Sequence, residues 1–157
     1  MRRALKGLIA VVAAATLLAG CSSIPADPDG TLERVRGGTL RVGVTENPPW
    51  VELSDAGEPA GTEPELVVAF ADELGAEVEW TDGSESRLAA ALEAGELDLV
   101  IGGLLDDTPW VEVGAATRPY AEVEAPWGTE RHVMLTPMGE NAFLVALETF
   151  LDEEPGR

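Results

Sequence analysis

The order of apolar and polar residues along the chain predicts two successive strand–helix–strand units. Residues 40–44 alternate in a β-branched run typical of a strand, and an amphipathic helix follows from Thr62. A short strand over 77–80, a second helix and the almost wholly apolar segment 97–105 come next. Because an uninterrupted apolar strand is typical of a parallel sheet covered on both faces, we expect a mainly parallel α/β sheet with right-handed crossovers.

The first of these helices carries both a start and a stop signal. Thr62, Glu63, Pro64 and Glu65 form the pattern of a capping box with an early proline. Gly75 follows the last apolar residue of the helix, as at many helix ends. We therefore expect Glu65 to cap this helix and Gly75 to end it.

The second half of the chain carries shorter signals. Residues 106–110 predict a turn, and 114–120 and 131–135 predict strands. Residues 141–151 predict a helix whose apolar side consists of Phe143, Leu144, Leu147 and Leu151. We expect all these elements to form one α/β domain over residues 38–157.

The first residues differ from the rest and predict export. Residues 1–6 are basic, and residues 8–18 are uncharged, apolar and too few to span a bilayer, so residues 1–20 are interpreted as a signal peptide. The ending Leu18-Ala19-Gly20-Cys21 resembles the lipobox of bacterial lipoproteins, which implies cleavage before Cys21 and its diacylation. An ordinary secretory signal that contains a cysteine is the alternative. Residues 21–37 then have the composition of a flexible, lipidated tether, which predicts an extracytoplasmic protein anchored to the cell membrane.

The charge of the chain excludes two classes of partner. After residue 20 the chain contains 7 arginines and no lysine against 29 acidic residues. A chain so acidic cannot displace counterions from the phosphates of nucleic acid, and it is repelled by anionic lipid headgroups. We therefore expect no nucleic-acid partner and membrane contact only through the lipid anchor.

Several short segments, taken in order, resemble one protein family. They lie between residues 39 and 120: the strand 40–44, Pro48-Pro49-Trp50, Gly61, the segment 92–104, Thr108-Pro109 and Arg118-Pro119-Tyr120. In order and spacing they resemble the bacterial extracellular solute-binding proteins of family 3, the receptors of polar amino-acid ABC importers. The resemblance implies a periplasmic-binding-protein-like fold, in which two α/β lobes close on a ligand, and these segments resemble the first lobe.

The chain departs from that family in two places. Only residues 121–130 separate Tyr120 from the strand and helix that resemble the family's return segment, so we expect a single three-layer lobe without the second one. Trp110 also stands where the resemblance implies an arginine that holds the ligand's carboxylate in a bidentate grip. A tryptophan can stack but cannot pair with a carboxylate, which weighs against recognition of a free amino acid.

Candidate ligand-binding residues lie where ligands bind open α/β sheets, at the carboxyl ends of the strands. Trp50, after two prolines, corresponds to the family's ligand-stacking aromatic, and packing over the sheet edge is its alternative role. Trp110 has the same two roles open to it. Asp106, Asp107 and Thr108 can receive an ammonium group or bind a hard cation through oxygen ligands. Alternatively, they satisfy their own backbone as turn residues do.

Arg118 completes this predicted site. It can pair with a ligand carboxylate, or with a neighbouring acidic side chain in a chain this acidic.

No pattern in the sequence predicts catalysis. His132 is the only histidine and Cys21 the only cysteine, so we predict neither a zinc site nor a Cys–His pair nor a disulfide. No phosphate-binding glycine loop or nucleophile elbow occurs, and we predict no cofactor, no metal and no enzyme activity.

Two functions remain after these exclusions. The first is binding of a small, polar, amino-acid-like solute in transport or sensing, with a membrane permease or a second copy as partner. The alternative is a protein-interaction module that docks a membrane transporter and binds no ligand itself. A truncated relic with neither property is a third interpretation.

Overall fold

A computed structural model describes residues 26–54 and 58–154 of the chain. The described residues form one mixed sheet with helices on both faces. The strands are β1 (Thr39–Val44), β2 (Glu77–Asp82), β3 (Leu99–Leu105), β4 (Gly114–Ala116), β5 (Ala121–Ala125) and β6 (Gly128–Pro137). The helices are α1 (Thr31–Val35), α2 (Thr62–Leu74), α3 (Glu85–Glu93) and α4 (Asn141–Glu153), with a 3₁₀ turn at Pro109–Glu112.

The sheet order is β2-β1-β3-β6-β4, and β5 pairs with β6 beside this path. The predicted strand–helix–strand units make the parallel part, in which β1 pairs with β2 on one side and β3 on the other. β6 is antiparallel to β3, β4 and β5. The α/β lobe is confirmed, and the antiparallel pairs come from the second half of the chain, where the sequence signals did not indicate strand direction.

Two hydrophobic clusters make the lobe three layers thick. One joins α1, α2 and α4 to one face of the sheet and contains Phe70 and Phe143, whose ring centroids lie 5.9 Å apart. The other joins α3 to the opposite face through Leu88 and Leu92. β3 is buried along almost its whole length because it contributes to both clusters, as its apolar sequence predicted.

The prediction of a flexible tether over residues 21–37 is wrong for residues 26–37. Residues 26–37 belong to the domain, because α1 buries Thr31 and Val35 and the preceding turn binds the start of α4. Asp27 Oδ1 accepts hydrogen bonds from the backbone N–H groups of Ala142 (2.6 Å) and Phe143 (3.0 Å). Such contacts between distant segments leave no periodic signal in a short sequence. The predicted signal peptide, Cys21 and the rest of the tether lie outside the described residues.

The described ranges contain no helix with the length and hydrophobicity that a membrane crossing requires.

The start of α2 also differs from its prediction. Gly61, rather than Thr62, is the N-cap residue, and a glycine has no side chain to cap the helix, so the predicted capping box lacks its N-cap side chain. Gly75 ends the helix as predicted, with a φ of 66° that glycine adopts without strain. Glu63, which the capping-box interpretation left without a role of its own, is instead fully buried.

A β-hairpin occupies the interval between Tyr120 and the strand that follows. β5 and the first part of β6 pair from Ala121 with His132 to Ala125 with Gly128. At the turn Trp127 is 79% exposed. The predicted strand over 131–135 is therefore the middle of a ten-residue strand.

Candidate functional site

A bulge in β3 organises the carboxyl end of the sheet. Val100 pairs with Leu135 and Leu104 with Val133, so four steps along β3 match two along β6. The irregularity leaves two backbone N–H groups of β3 outside the strand ladder, and Glu63 accepts both. Its Oε2 lies 2.7 Å from Gly102 N and 2.9 Å from Gly103 N. The bulge is thus satisfied by a carboxylate from α2 rather than by a neighbouring strand.

Glu63 also binds Tyr120, at the root of the hairpin. The Tyr120 hydroxyl donates to Glu63 Oε1 at 2.5 Å. Burial raises the pKa of Glu63 above its usual value, although the hydrogen bonds from Tyr120, Gly103 and Gly102 act in the opposite direction. The pKa of Tyr120 is raised as well, by burial and by the adjacent carboxyl group, so the hydroxyl stays a donor at every physiological pH.

Trp50 lies over this same bulge, half-buried. Its ring is 3.9 Å from that of His132, at an angle of 35°, and meets Tyr120 edge-on at 6.2 Å. A Cβ at Gly103 would lie 2.6 Å from Trp50 Cδ1, so only glycine permits this approach. The structure therefore places Trp50 at the carboxyl end of the sheet, and His132 covers one face of its ring.

The other predicted site residues are dispersed along the turn after β3. Asp106 forms an ion pair with Arg131 of the hairpin at 2.6 Å, Asp107 is exposed, and Thr108 is 8% exposed. Trp110 donates from Nε1 to Glu85 Oε2 at 2.8 Å and packs against the α3 cluster. Of its two predicted roles, ligand stacking and packing, Trp110 therefore adopts packing.

Arg118 adopts the second of its two predicted roles. Its guanidinium lies 3.1 Å from Glu148 and 2.7 Å from Asp152, both on α4. Because two carboxylates on α4 already pair with the Arg118 guanidinium, Arg118 does not form a common site with the other predicted residues.

A cleft of about 570 Å³ opens beside the carboxyl ends of β1 and β2. Leu53, Ser54 and Pro59 form its outer wall. Two isolated β-bridges lie in the neighbouring backbone, between Asn47 and Val51 and between Glu52 and Ala60. The lining residues are Val44, Glu46, Leu53, Ser54, Pro59, Trp80 and Asp82. The lining includes none of the six site residues that the sequence singled out: Trp50, Asp106, Asp107, Thr108, Trp110 and Arg118.

The described residues contain no group of three or more His, Cys, Asp or Glu side chains placed to hold a metal ion.

Two kinds of residue at this end of the sheet were not singled out from the sequence. Glu46 and Asp82 lie where β1 and β2 end, within the stretches 45–50 and 81–84 that the strand-end rule assigns to the predicted site. Glu63 had no such signal, because its role depends on a bulge in a strand about forty residues further on.

Comparison with known proteins identifies relatives of this lobe. A model of the bacterial extracellular solute-binding proteins, family 3, matches residues 40–153. Membrane-bound lytic murein transglycosylase F of Vibrio cholerae serotype O1, in two strains, is 40% identical over 90 residues. That match covers 56% of this chain and only 17% of the transglycosylase.

Solved structures with the same fold are less similar in sequence. The arginine-bound form of domain 1 from TmArgBP is 23% identical with a TM-score of 0.68, and the match covers 77% of this chain and 97% of that one. The unliganded L-cystine solute receptor of Neisseria gonorrhoeae is 14% identical with a TM-score of 0.64, covering 78% and 89%. An ancestral cyclohexadienyl dehydratase is 16% identical with a TM-score of 0.69, covering 83% and 92%.

At these sequence identities the solved structures establish only the fold, whereas the family model establishes which family the chain belongs to. Because its match runs from β1 to the end of α4, the chain belongs to the bacterial extracellular solute-binding proteins of family 3.

Proposed function

We propose that this lobe binds a small polar solute at the carboxyl ends of its strands, outside the cytoplasm, in transport or sensing. The observation that carries the proposal is the family match through the whole lobe, together with a cleft at that end of the sheet. The proposal includes lipid anchoring through Cys21 and a membrane permease or a second copy as partner. The half-exposed Trp50 remains a predicted ligand contact in it.

The proposal includes no catalytic step. The transglycosylase relative matches over only 17% of its length, so its activity is not transferred to this chain.

A single lobe limits the affinity that this site can reach. Ligand pockets bury roughly 70–90% of a small molecule, and an open lobe covers about half of that. If a closed receptor binds at about 1 μM, losing half of the binding free energy leaves a dissociation constant near 1 mM. Domain 1 of TmArgBP is a single domain with arginine bound, which supports ligand binding by one lobe.

The test is titration of the full-length chain, purified in a mild neutral detergent, with the twenty common amino acids. We expect dissociation constants near 1 mM by calorimetry for the isolated monomer, with sedimentation recording the oligomeric state. Submicromolar binding by a demonstrated monomer would contradict the half-site argument. A gain in melting temperature with a solute supports the binding function itself.

The exposed hairpin favours a second candidate function. Trp127, at the turn of the β5–β6 hairpin, is 79% exposed, and exposed tryptophan is enriched where proteins dock. In this alternative the chain is an interaction module that docks a membrane transporter and binds no solute. Such a module gains thermal stability only when a protein partner is added, whereas a solute-binding lobe gains it with a small molecule.

A further inference from the structure

The β1–β2 cleft, lined by the seven residues named above, combines an aromatic wall with two carboxylates. Trp80 is half-buried: it packs on the core from one side and lines the cleft from the other. Leu53 and Pro59 add apolar surface, and the almost fully buried Val44 lies at the base of the cleft lining. A volume of about 570 Å³ falls within the range of small-molecule sites, roughly 300–1,000 Å³.

Among the described residues, no arginine lines this cleft beside its two carboxylates, Glu46 and Asp82. Both are exposed, and neither forms an ion pair within the described ranges. Four of the described arginines form ion pairs elsewhere: Arg34 and Arg41 with Asp98, Arg118 with α4 and Arg131 with Asp106. Arg87 packs its stem beside Gly83, next to Asp82 in the chain, but it forms no ion pair with either cleft carboxylate. None of them lines the cleft.

We propose that this cleft, which Glu46, Asp82 and Trp80 line together, binds an organic cation that carries no carboxylate. An ammonium or guanidinium group pairs with the two carboxylates and stacks on the indole, while an apolar stem lies along the remaining wall. A free amino acid fits less well, because its carboxylate would meet two negative charges and no arginine. The proposal rests on the proposed solute-binding function and names its ligand class.

A divalent metal is a weaker fit to the same residues. Calcium takes six to eight oxygen ligands, and only two carboxylates line this cleft. The aromatic wall contributes nothing to a metal ion of this kind, whereas it contributes directly to an organic cation.

A matched pair of probes tests the proposal. Agmatine is arginine without its carboxylate, and the full-length chain in neutral detergent is titrated with both compounds by calorimetry. We expect agmatine to bind on the order of tenfold more tightly than L-arginine, the scale of one removed charge repulsion near a protein surface. Equal or tighter binding of L-arginine overturns the proposal.

Variants separate the cleft from the overall negative charge of the chain. Glu46→Gln and Asp82→Asn should each weaken agmatine binding severalfold, and the double variant should remove the preference for agmatine. Glu93→Gln removes the same charge from an exposed position of α3 that does not line the cleft, and it should leave the preference unchanged. An equal loss in Glu93→Gln would show a general field effect and overturn the assignment to the cleft.

Three further outcomes would overturn this proposal, and they differ in what they leave of the solute-binding function on which it rests. Binding of a neutral or anionic solute without agmatine overturns the cation assignment and leaves the solute-binding function intact. No binding of any solute, with stabilisation by a protein partner alone, overturns both. Displacement of agmatine by calcium at far lower concentration overturns the ligand class in favour of a metal.

Discussion

Glu63 joins three parts of the lobe through one carboxyl group. It comes from the first turn of α2, accepts both free N–H groups of the β3 bulge and receives the hydroxyl of Tyr120. Trp50 packs against the same bulge at Gly103. The shape of the strand end, on which the predicted ligand contacts lie, therefore depends on a residue that touches no ligand in our proposal.

Replacing Glu63 should reveal that dependence. Glu63→Ala leaves three buried donors without an acceptor and opens a cavity, so we expect a loss of at least about 3 kcal/mol in unfolding free energy. Glu63→Gln keeps an oxygen for the two glycine N–H groups and should cost much less. Urea unfolding of both variants checks this, and equal losses would mean that the hydrogen bonds to the bulge contribute little.

Asp98, like Glu63, joins separate parts of the lobe through one buried carboxyl group, here through ion pairs. Its carboxylate is fully buried and receives Arg34 and Arg41, each at 2.6 Å. Burial alone would raise the pKa of Asp98, but the hydrogen bonds from Arg41 and Arg34 outweigh it and lower that pKa below its usual value. The contact joins α1 to β1 and the start of β3, which extends the domain to the residues before β1.

The pH dependence of stability follows from that shift. Because the folded-state pKa lies below the unfolded value of about 3.9, the stabilisation is fully present above pH 5 and is lost as the pH falls through the folded pKa. Asp98→Asn should lower the unfolding free energy by about 2 kcal/mol at neutral pH, since the arginines are partly exposed and regain water. The difference from wild type should shrink below about pH 4. A difference independent of pH would contradict the ion-pair origin of the stabilisation.

At the scale of elements, β6 and α4 complete the lobe. β6 lies between β3 and β4 and also pairs with β5, so three strands depend on it. α4 contributes Phe143, Leu147 and Phe150 to the larger hydrophobic cluster. Leu144 and Leu151, predicted for the same apolar side, are only half-buried, because the buried face of α4 is centred on Phe143, Leu147 and Phe150.

A chain that ends at Glu130 should therefore lose cooperative unfolding. This truncation removes most of β6 and all of α4. It exposes core side chains whose burial contributes several kcal/mol at about 25 cal/mol per Å². Thermal melting followed by circular dichroism checks this. Trp127→Ser, at the exposed hairpin turn, is the control and should change the unfolding free energy by less than about 0.5 kcal/mol. A thermal transition as sharp as that of the full chain would show that residues 131–157 are not needed for the lobe to fold.

At the scale of the whole molecule, charge and anchoring are connected. After residue 20 the chain has 29 acidic residues against 7 arginines, so anionic headgroups do not attract it. In our proposal, retention at a membrane comes from acyl chains on Cys21, which contribute about 0.8 kcal/mol for each buried CH₂ group.

Cys21→Ser tests the anchor. In a bacterial host the wild type should fractionate with membranes and label with a palmitate analogue, and Cys21→Ser should abolish the labelling. Ser22→Ala keeps the cysteine and should label as the wild type does. Equal labelling of the wild type and Cys21→Ser would end the lipoprotein hypothesis.

Much of the lobe was predictable because its signals are local. The alternation over 40–44, the helix from Thr62 to Gly75 and the apolar strand over 97–105 each reflect periodic burial, which depends only on near neighbours in the sequence. The acidic balance and the family resemblance were likewise readable from the chain, and the family is confirmed over residues 40–153.

The features that only the tertiary structure decided all join residues far apart in the chain. Asp27 binds the start of α4, Glu63 satisfies the β3 bulge, and Glu46 and Asp82 meet at one cleft because β1 and β2 are neighbours. Arg118 had several acidic neighbours available, and the packing of α4 selected Glu148 and Asp152. A sequence pattern records which residues can be buried or paired, but three-dimensional packing selects the partner, since hydrogen bonds and ion pairs act over a few ångströms and not along the chain.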